Sequence, residues 1–102
     1  MDKRKDRDKE IIGWLLNRGE DLAYSEGYKA HYLYGSSKKP IPANIRGVLM
    51  YRLKEDYEYT YERIGEIFNR DHSTVKYWVR RINELLSIGD RSTIRYMDYT
   101  KP

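Results

Sequence analysis

Apolar positions along the chain recur at helical spacing and are separated by short polar breaks. Residues 1 to 10 alternate acids and bases. There Asp2/Lys5, Arg4/Asp8 and Arg7/Glu10 stand at the distances of partners on a helix surface, each worth roughly 0.2–0.5 kcal/mol to a solvated helix start. A frayed, charged terminus is the alternative. Ile11, Trp14, Leu15 and Leu22 then predict an amphipathic helix, with a break expected near Gly19. Tyr24, Tyr28 and Tyr32, followed by Tyr34, keep the spacing of one helix face, although Gly27 interrupts it. Residues 35 to 42, with Pro40 and Pro42, read as a loop. Ile45, Val48, Leu49 and Leu53 mark a second amphipathic helix, and residues 56 to 59 a turn. Two closely spaced helices follow, one carrying Ile64 and Phe68, the other Val75, Trp78, Val79 and Ile82. Thr60 is placed to cap the first, with Glu62 near its positive end, and Asp71 to cap the second. The long helix should stop at Gly89, and Asp90 should cap a last short helix bearing Ile94 and Met97. The expectation is an all-α chain.

Residues 64 to 82 satisfy several constraints at once. Two helices that cross steeply need a residue without a bulky side chain where they approach, and Gly65 stands there. The sharp reversal between them needs a residue that tolerates positive φ, a place filled by Asn69. That combination is the grammar of a helix-turn-helix; a plain helical hairpin with an apolar seam is the alternative. The polar half of the second helix favours the former. With 100° between successive residues, Val75, Trp78, Val79 and Ile82 form the inward stripe. Ser73, Lys76, Tyr77, Arg80 and Arg81 fan out opposite, and no acid interrupts them before Glu84.

The segment Arg70-Asp71-His72-Ser73-Thr74-Val75 is preceded by Ile64-Gly65 and an aromatic residue, and followed by an apolar-basic helix ending in Arg81-Ile82. It resembles the C-terminal DNA-binding domain of the bacterial replication initiator DnaA, a Trp-repressor-like helix-turn-helix. The resemblance runs from about Lys38 to about Met97. It implies a helix-turn-helix domain over residues 37–102, behind an N-terminal helical, Tyr-rich extension over residues 1–36. It also implies a basic minor-groove loop at Ser37-Lys38-Lys39-Pro40, a helix from Ala43 to Lys54, and DNA contacts from Arg70, His72, Ser73 and Thr74. The chain departs from the family in three places. A single Asn69 stands where two glycines are usual, Trp78 replaces a small residue in the recognition helix, and the basic loop is poorer in arginine.

With the second helix in the major groove, its first turn lies nearest the bases. His72, Ser73 and Thr74 are then the base-reading candidates, and Arg70 would take a guanine edge or a phosphate. Tyr77 and Arg80 lie further along the same face, against bases or the sugar-phosphate wall. Lys76 and Arg81 flank it as phosphate clamps, while Lys38, Lys39 and Arg46 form a second anchoring set in or beside the minor groove. Asp71 reads better as a cap than as a base contact.

Composition narrows the classes without choosing one. The 102 residues carry a net charge of +4, from 20 basic and 16 acidic side chains, a mild lean toward polyanions. There is no cysteine, which excludes disulfides and thiolate metal sites and suits a reducing cytoplasm. The run from Ile11 to Leu16 is too short to span a bilayer and no cleavage site follows it, so a soluble, cytoplasmic, nucleoid-associated protein is expected. No phosphate-cradling Gly-x4-Gly-Lys-Ser/Thr, nucleophilic triad or carboxylate pair stands out, and His31 is the only histidine besides His72. No enzymatic activity, cofactor or metal is expected. The partner is double-stranded DNA, read by a small transcription regulator or an origin accessory factor, of cellular, phage or mobile-element origin. A protein partner, or self-association through the N-terminal extension, stays open. So do two other classes: a protein-interaction module docking through residues 11 to 34, and a single-strand RNA or DNA binder stacking bases on its tyrosines.

Overall fold

The computed structural model describes residues 3–35 and 38–102, the first four of these by their backbone. Among the described residues it holds six helices and no strand: α1 (Lys3–Ser25), α2 (His31–Tyr34), α3 (Pro40–Glu55), α4 (Tyr61–Phe68), α5 (His72–Ser87) and α6 (Arg91–Tyr99). The fold is all-α, as expected. Helix α3 is its axis and touches every other helix, most extensively α5 on one side and α1 on another. Pro40 starts it at the position where a missing N–H costs nothing, so the loop before it ends at Lys39 and not, as expected, at Pro42. Pro42, Ala43, Ile45, Arg46, Gly47, Val48, Leu49, Met50 and Leu53 are all buried. A one-sided amphipathic helix was expected here. The neighbours packed around α3 also cover the positions that periodicity would leave in water.

Helix α1 runs through Gly19 without a break. The reason is on α3: a Cβ at Gly19 would lie 2.4 Å from Leu49 Cδ1, so the glycine admits a neighbouring side chain and marks no turn. Leu15, Leu22 and Leu33 join Ile45, Leu49, Phe68, Val75, Ile82 and Tyr96 in one apolar core. That core crosses the boundary drawn between residues 36 and 37. The tyrosines do not share a helix face. Helix α1 stops at Ser25 and Gly27 turns the chain at φ 89°, leaving Tyr24 largely exposed. Tyr28 and Tyr32 meet edge to face at 5.5 Å, and Tyr34 donates to Glu20 at 3.2 Å while stacking near Phe68. Burial, and then Glu20, push the Tyr34 hydroxyl well above its usual pKa.

Near the start of α1, Asp8 accepts a hydrogen bond from the Tyr59 hydroxyl at 3.0 Å, tying it to the turn after α3. The side chains of Asp2, Arg4 and Lys5, and with them the pairs Asp2/Lys5 and Arg4/Asp8, lie outside what the structure describes, and no ion pair joins Arg7 to Glu10. At the other end, Asp90 caps α6 by accepting from the Thr93 N–H at 3.1 Å and its hydroxyl at 2.7 Å. Thr93 and Tyr96 are the buried residues of α6, while Ile94 is 40% exposed. Among the described residues no helix is long and apolar enough to cross a membrane.

Candidate nucleic-acid interface

Local chemistry builds the bend before α5. Thr60 Oγ1 accepts from the Arg63 N–H at 3.1 Å and opens α4. Asn69 ends it in the left-handed region, φ 53° and ψ 51°, where asparagine sits at little cost. The chain then doubles back tightly enough for the Arg70 N–H to reach the Gly65 carbonyl at 2.8 Å. A Cβ on Gly65 would lie 2.4 Å from the Arg70 carbonyl oxygen, so the glycine is required by backbone, not by a side chain across the crossing. Asp71 holds the N-cap position of α5, but its carboxylate accepts from the Ser73 hydroxyl at 2.7 Å instead of making a side-chain cap bond. The Ser73 hydroxyl, with His72 nearby, holds that carboxyl below its usual pKa.

Beyond this turn α5 presents two faces. Val75, Val79 and Ile82 are buried. Trp78, expected in the core, is half-buried, and its indole lies over α3 at Gly47, where a Cβ would be 2.5 Å from Cε3. Gly47 therefore makes the room that the large residue at 78 needs, a compensation one helix's pattern could not show. On the outer face His72, Ser73, Lys76, Tyr77, Arg80 and Arg81 are exposed, and Thr74 is half-buried beside them. His72 Nδ1 lies 3.4 Å from Asp71, and Arg81 pairs with Glu84 at 3.6 Å. Both contacts are solvent-exposed, so they are weak and exchange easily for another partner. Tyr77, Arg80, Arg81 and Glu84 line a shallow open hollow of about 390 Å³.

The remaining expected contacts separate. Lys38 and Lys39 are exposed just before α3, while Ser37 lies outside the described residues. Arg46 is not a surface anchor: it is 4% exposed, and its Nε and Nη2 donate to the carbonyls of Leu33 at 2.6 Å and Tyr32 at 2.9 Å. The all-round burial of α3 is the cause. Burial, and then the nearby Arg70, lower its pKa to about 10. Arg70 itself is half-buried and bonds the carbonyls of Gly35, Phe68 and Asn69. Sequence reasoning missed Lys54 and Tyr61. The ammonium groups of Lys54 and Lys76 lie 4.7 and 5.5 Å from the Tyr61 ring centroid, which gathers two cations where α3, α4 and α5 meet. The signal was a lone lysine at the end of α3, indistinguishable in sequence from a solvated one.

A capped helix, a left-handed asparagine and a second helix with a one-signed outer face together define a helix-turn-helix protein. Comparison with known families places it more closely. Residues 24–82 match the family described as bacterial dnaA protein helix-turn-helix, and the chain belongs to that family. It is similar to the chromosomal replication initiator protein DnaA of Clavibacter sepedonicus, 42% identical over 55 residues, which is 53% of this chain and 12% of that protein. The corresponding protein of Tropheryma whipplei strain Twist is 37% identical over 73 residues, 72% of this chain and 14% of that protein. That of Mycoplasma pneumoniae is 35% identical over 54 residues, 53% of this chain and 12% of that protein. The aligned part thus spans only a small fraction of these relatives' length.

Proposed function

We propose that this chain binds double-stranded DNA sequence-specifically, with α5 in the major groove, as a small transcription regulator or an accessory factor at a replication origin. The observation that carries this reading is the exposed face of α5 from His72 to Arg81. Six side chains there, four of them Lys, Arg or His, lie open beside a half-buried Thr74, in a helix-turn-helix of the DnaA family. His72, Ser73 and Thr74 in its first turn read base edges. Tyr77 and Arg80 reach bases or the backbone wall, and Lys76 and Arg81 hold phosphates. Lys38 and Lys39 form the second anchoring point beside the minor groove. The role is binding without catalysis, in the cytoplasm on the nucleoid.

Mobility shift of a random duplex at low salt tests this, with single-stranded RNA as competitor and Arg80→Ala as the control. The duplex should be retained, the RNA should compete poorly, and Arg80→Ala should weaken retention. No duplex binding even at about 50 mM salt, where phosphate contacts are strongest, would favour a protein-interaction module instead. Stronger competition by the RNA would favour a single-strand binder.

A further inference from the structure

Two arginines from different elements converge on the carbonyl end of α2. Arg46, midway along α3, bonds the carbonyls of Tyr32 and Leu33 from within the core. Arg70, in the turn before α5, bonds the carbonyl of Gly35 together with those of Phe68 and Asn69 in its own turn. Helix α2 has four residues and cannot hold its own shape, since so short a helix closes too few hydrogen bonds to offset nucleation. Its last carbonyls also lack helical partners. The planar guanidinium fork of Arg46 spans two adjacent carbonyls in a way that a lysine ammonium does not.

The consequence reaches the DNA-facing surface. Four residues separate Gly35 from Pro40, and Lys38 and Lys39 are two of them. A segment of four residues extends about 13–14 Å at most, so fixing its two ends confines where those lysines can go. One end is the start of α3. The other is Gly35, held through Arg70 to the turn that aims α5.

We infer that Arg46 and Arg70 are positioning residues: their guanidiniums fasten the end of α2 to the helix-turn-helix, and so set the offset between Lys38–Lys39 and the recognition helix on DNA. Arg70 acts through the basic segment instead of reading a base. The last step rests on the DNA-binding reading above; the fastening itself does not.

Two measurements on the full chain separate these. Amide hydrogen exchange without DNA should show residues 31–35 exchanging faster in Arg46→Lys, with α5 unchanged. Unchanged exchange at 31–35 overturns the clamp. Duplex affinity by fluorescence anisotropy then completes a double-mutant cycle between Arg46→Lys and the pair Lys38→Ala, Lys39→Ala. Arg46→Lys should weaken binding by about tenfold in the parent chain and by less than about twofold once the lysines are gone. Equal losses in both backgrounds overturn the positioning role, because damage to the domain or to α5 would persist without the lysines. Arg70→Gln goes through the same cycle and serves if Arg46→Lys fails to fold; a loss that survives lysine removal and alters the preferred sequence would make Arg70 a base reader and overturn its assignment here. If the parent chain does not bind duplex, the DNA-binding reading fails by itself, and hydrogen exchange still decides the clamp.

Discussion

Replacing Gly47 by alanine asks whether the recognition helix is seated by an absent side chain. The added Cβ would lie 2.5 Å from Trp78 Cε3, 3.1 Å from Trp78 Cδ2 and 3.2 Å from Ile82 Cδ1. The first of these is about 1 Å inside ordinary carbon–carbon contact. Two effects oppose each other. Alanine favours a helix interior over glycine by about 1 kcal/mol. Overpacking a close-packed contact costs about 1–3 kcal/mol, since a ring or a backbone must move. Trp78 is half-buried and has a way outward, which puts the cost near the middle of that range. The net expectation is a loss of about 1 kcal/mol, a drop in Tm of roughly 4–8 °C for a domain of this size. Thermal and urea unfolding followed by far-UV circular dichroism would read it. In a Trp78→Leu background the obstructing ring is gone, and Gly47→Ala should then stabilise by up to about 1 kcal/mol, the helix-propensity gain alone. A Gly47→Ala chain at least as stable as the parent, with Trp78 in place, would refute the fit between the two residues.

Other perturbations probe the turn, the caps and the charged surface. Asn69→Gly should be tolerated, whereas Asn69→Val should cost about 1–2 kcal/mol by chemical denaturation, the penalty for an ordinary side chain at φ 53°. Thr60→Ala should cost about 0.5–2 kcal/mol, because the Arg63 N–H loses its acceptor. Asp71 and Asp90 are held below the usual carboxylate pKa, by the hydroxyls of Ser73 and Thr93 respectively, and titrate at the ordinary value when unfolded. Their stabilisation is therefore complete above about pH 4 and vanishes as the pH falls through the folded-state values. Urea midpoints should decline in that acid range, and less so in a Ser73→Ala, Thr93→Val double variant. Finally, Lys54→Ala and Lys76→Ala should each lower the slope of log affinity against log salt by about 1 without changing the preferred sequence. A changed sequence preference would contradict the assignment of Lys76 to a phosphate, and would give Lys54 more than a charge role.

The helix-turn-helix was legible because its determinants are local. Thr60, Gly65, Asn69 and Asp90 act within a few residues of themselves, and the stripe of Val75, Val79 and Ile82 sits on a single helix. What escaped depends on neighbours distant in sequence. Gly19 read as a breaker because Leu49, which fills the space beside it, lies on another helix. Arg46 read as a surface cation because α3 has an apolar stripe, but α1, α2 and α5 enclose α3 on its other sides as well. The spacing of Tyr24, Tyr28 and Tyr32 had the period of a helix face, yet Gly27 at φ 89° ends the helix between the first and the second. In the candidate interface the exposed face of α5 followed from periodicity. The Lys54–Tyr61–Lys76 cluster and the carbonyl bonds of Arg70 arise only from tertiary contact.

Selection of bound sequences from a random duplex pool, with the full chain at about 50 mM salt, bears most directly on whether α5 reads DNA. A helix whose first turn contacts bases should enrich a defined sequence, and His72→Ala or Ser73→Ala should flatten that enrichment by roughly 1–3 kcal/mol per lost base contact. A pool that stays random, or an enriched sequence indifferent to both substitutions, would contradict it.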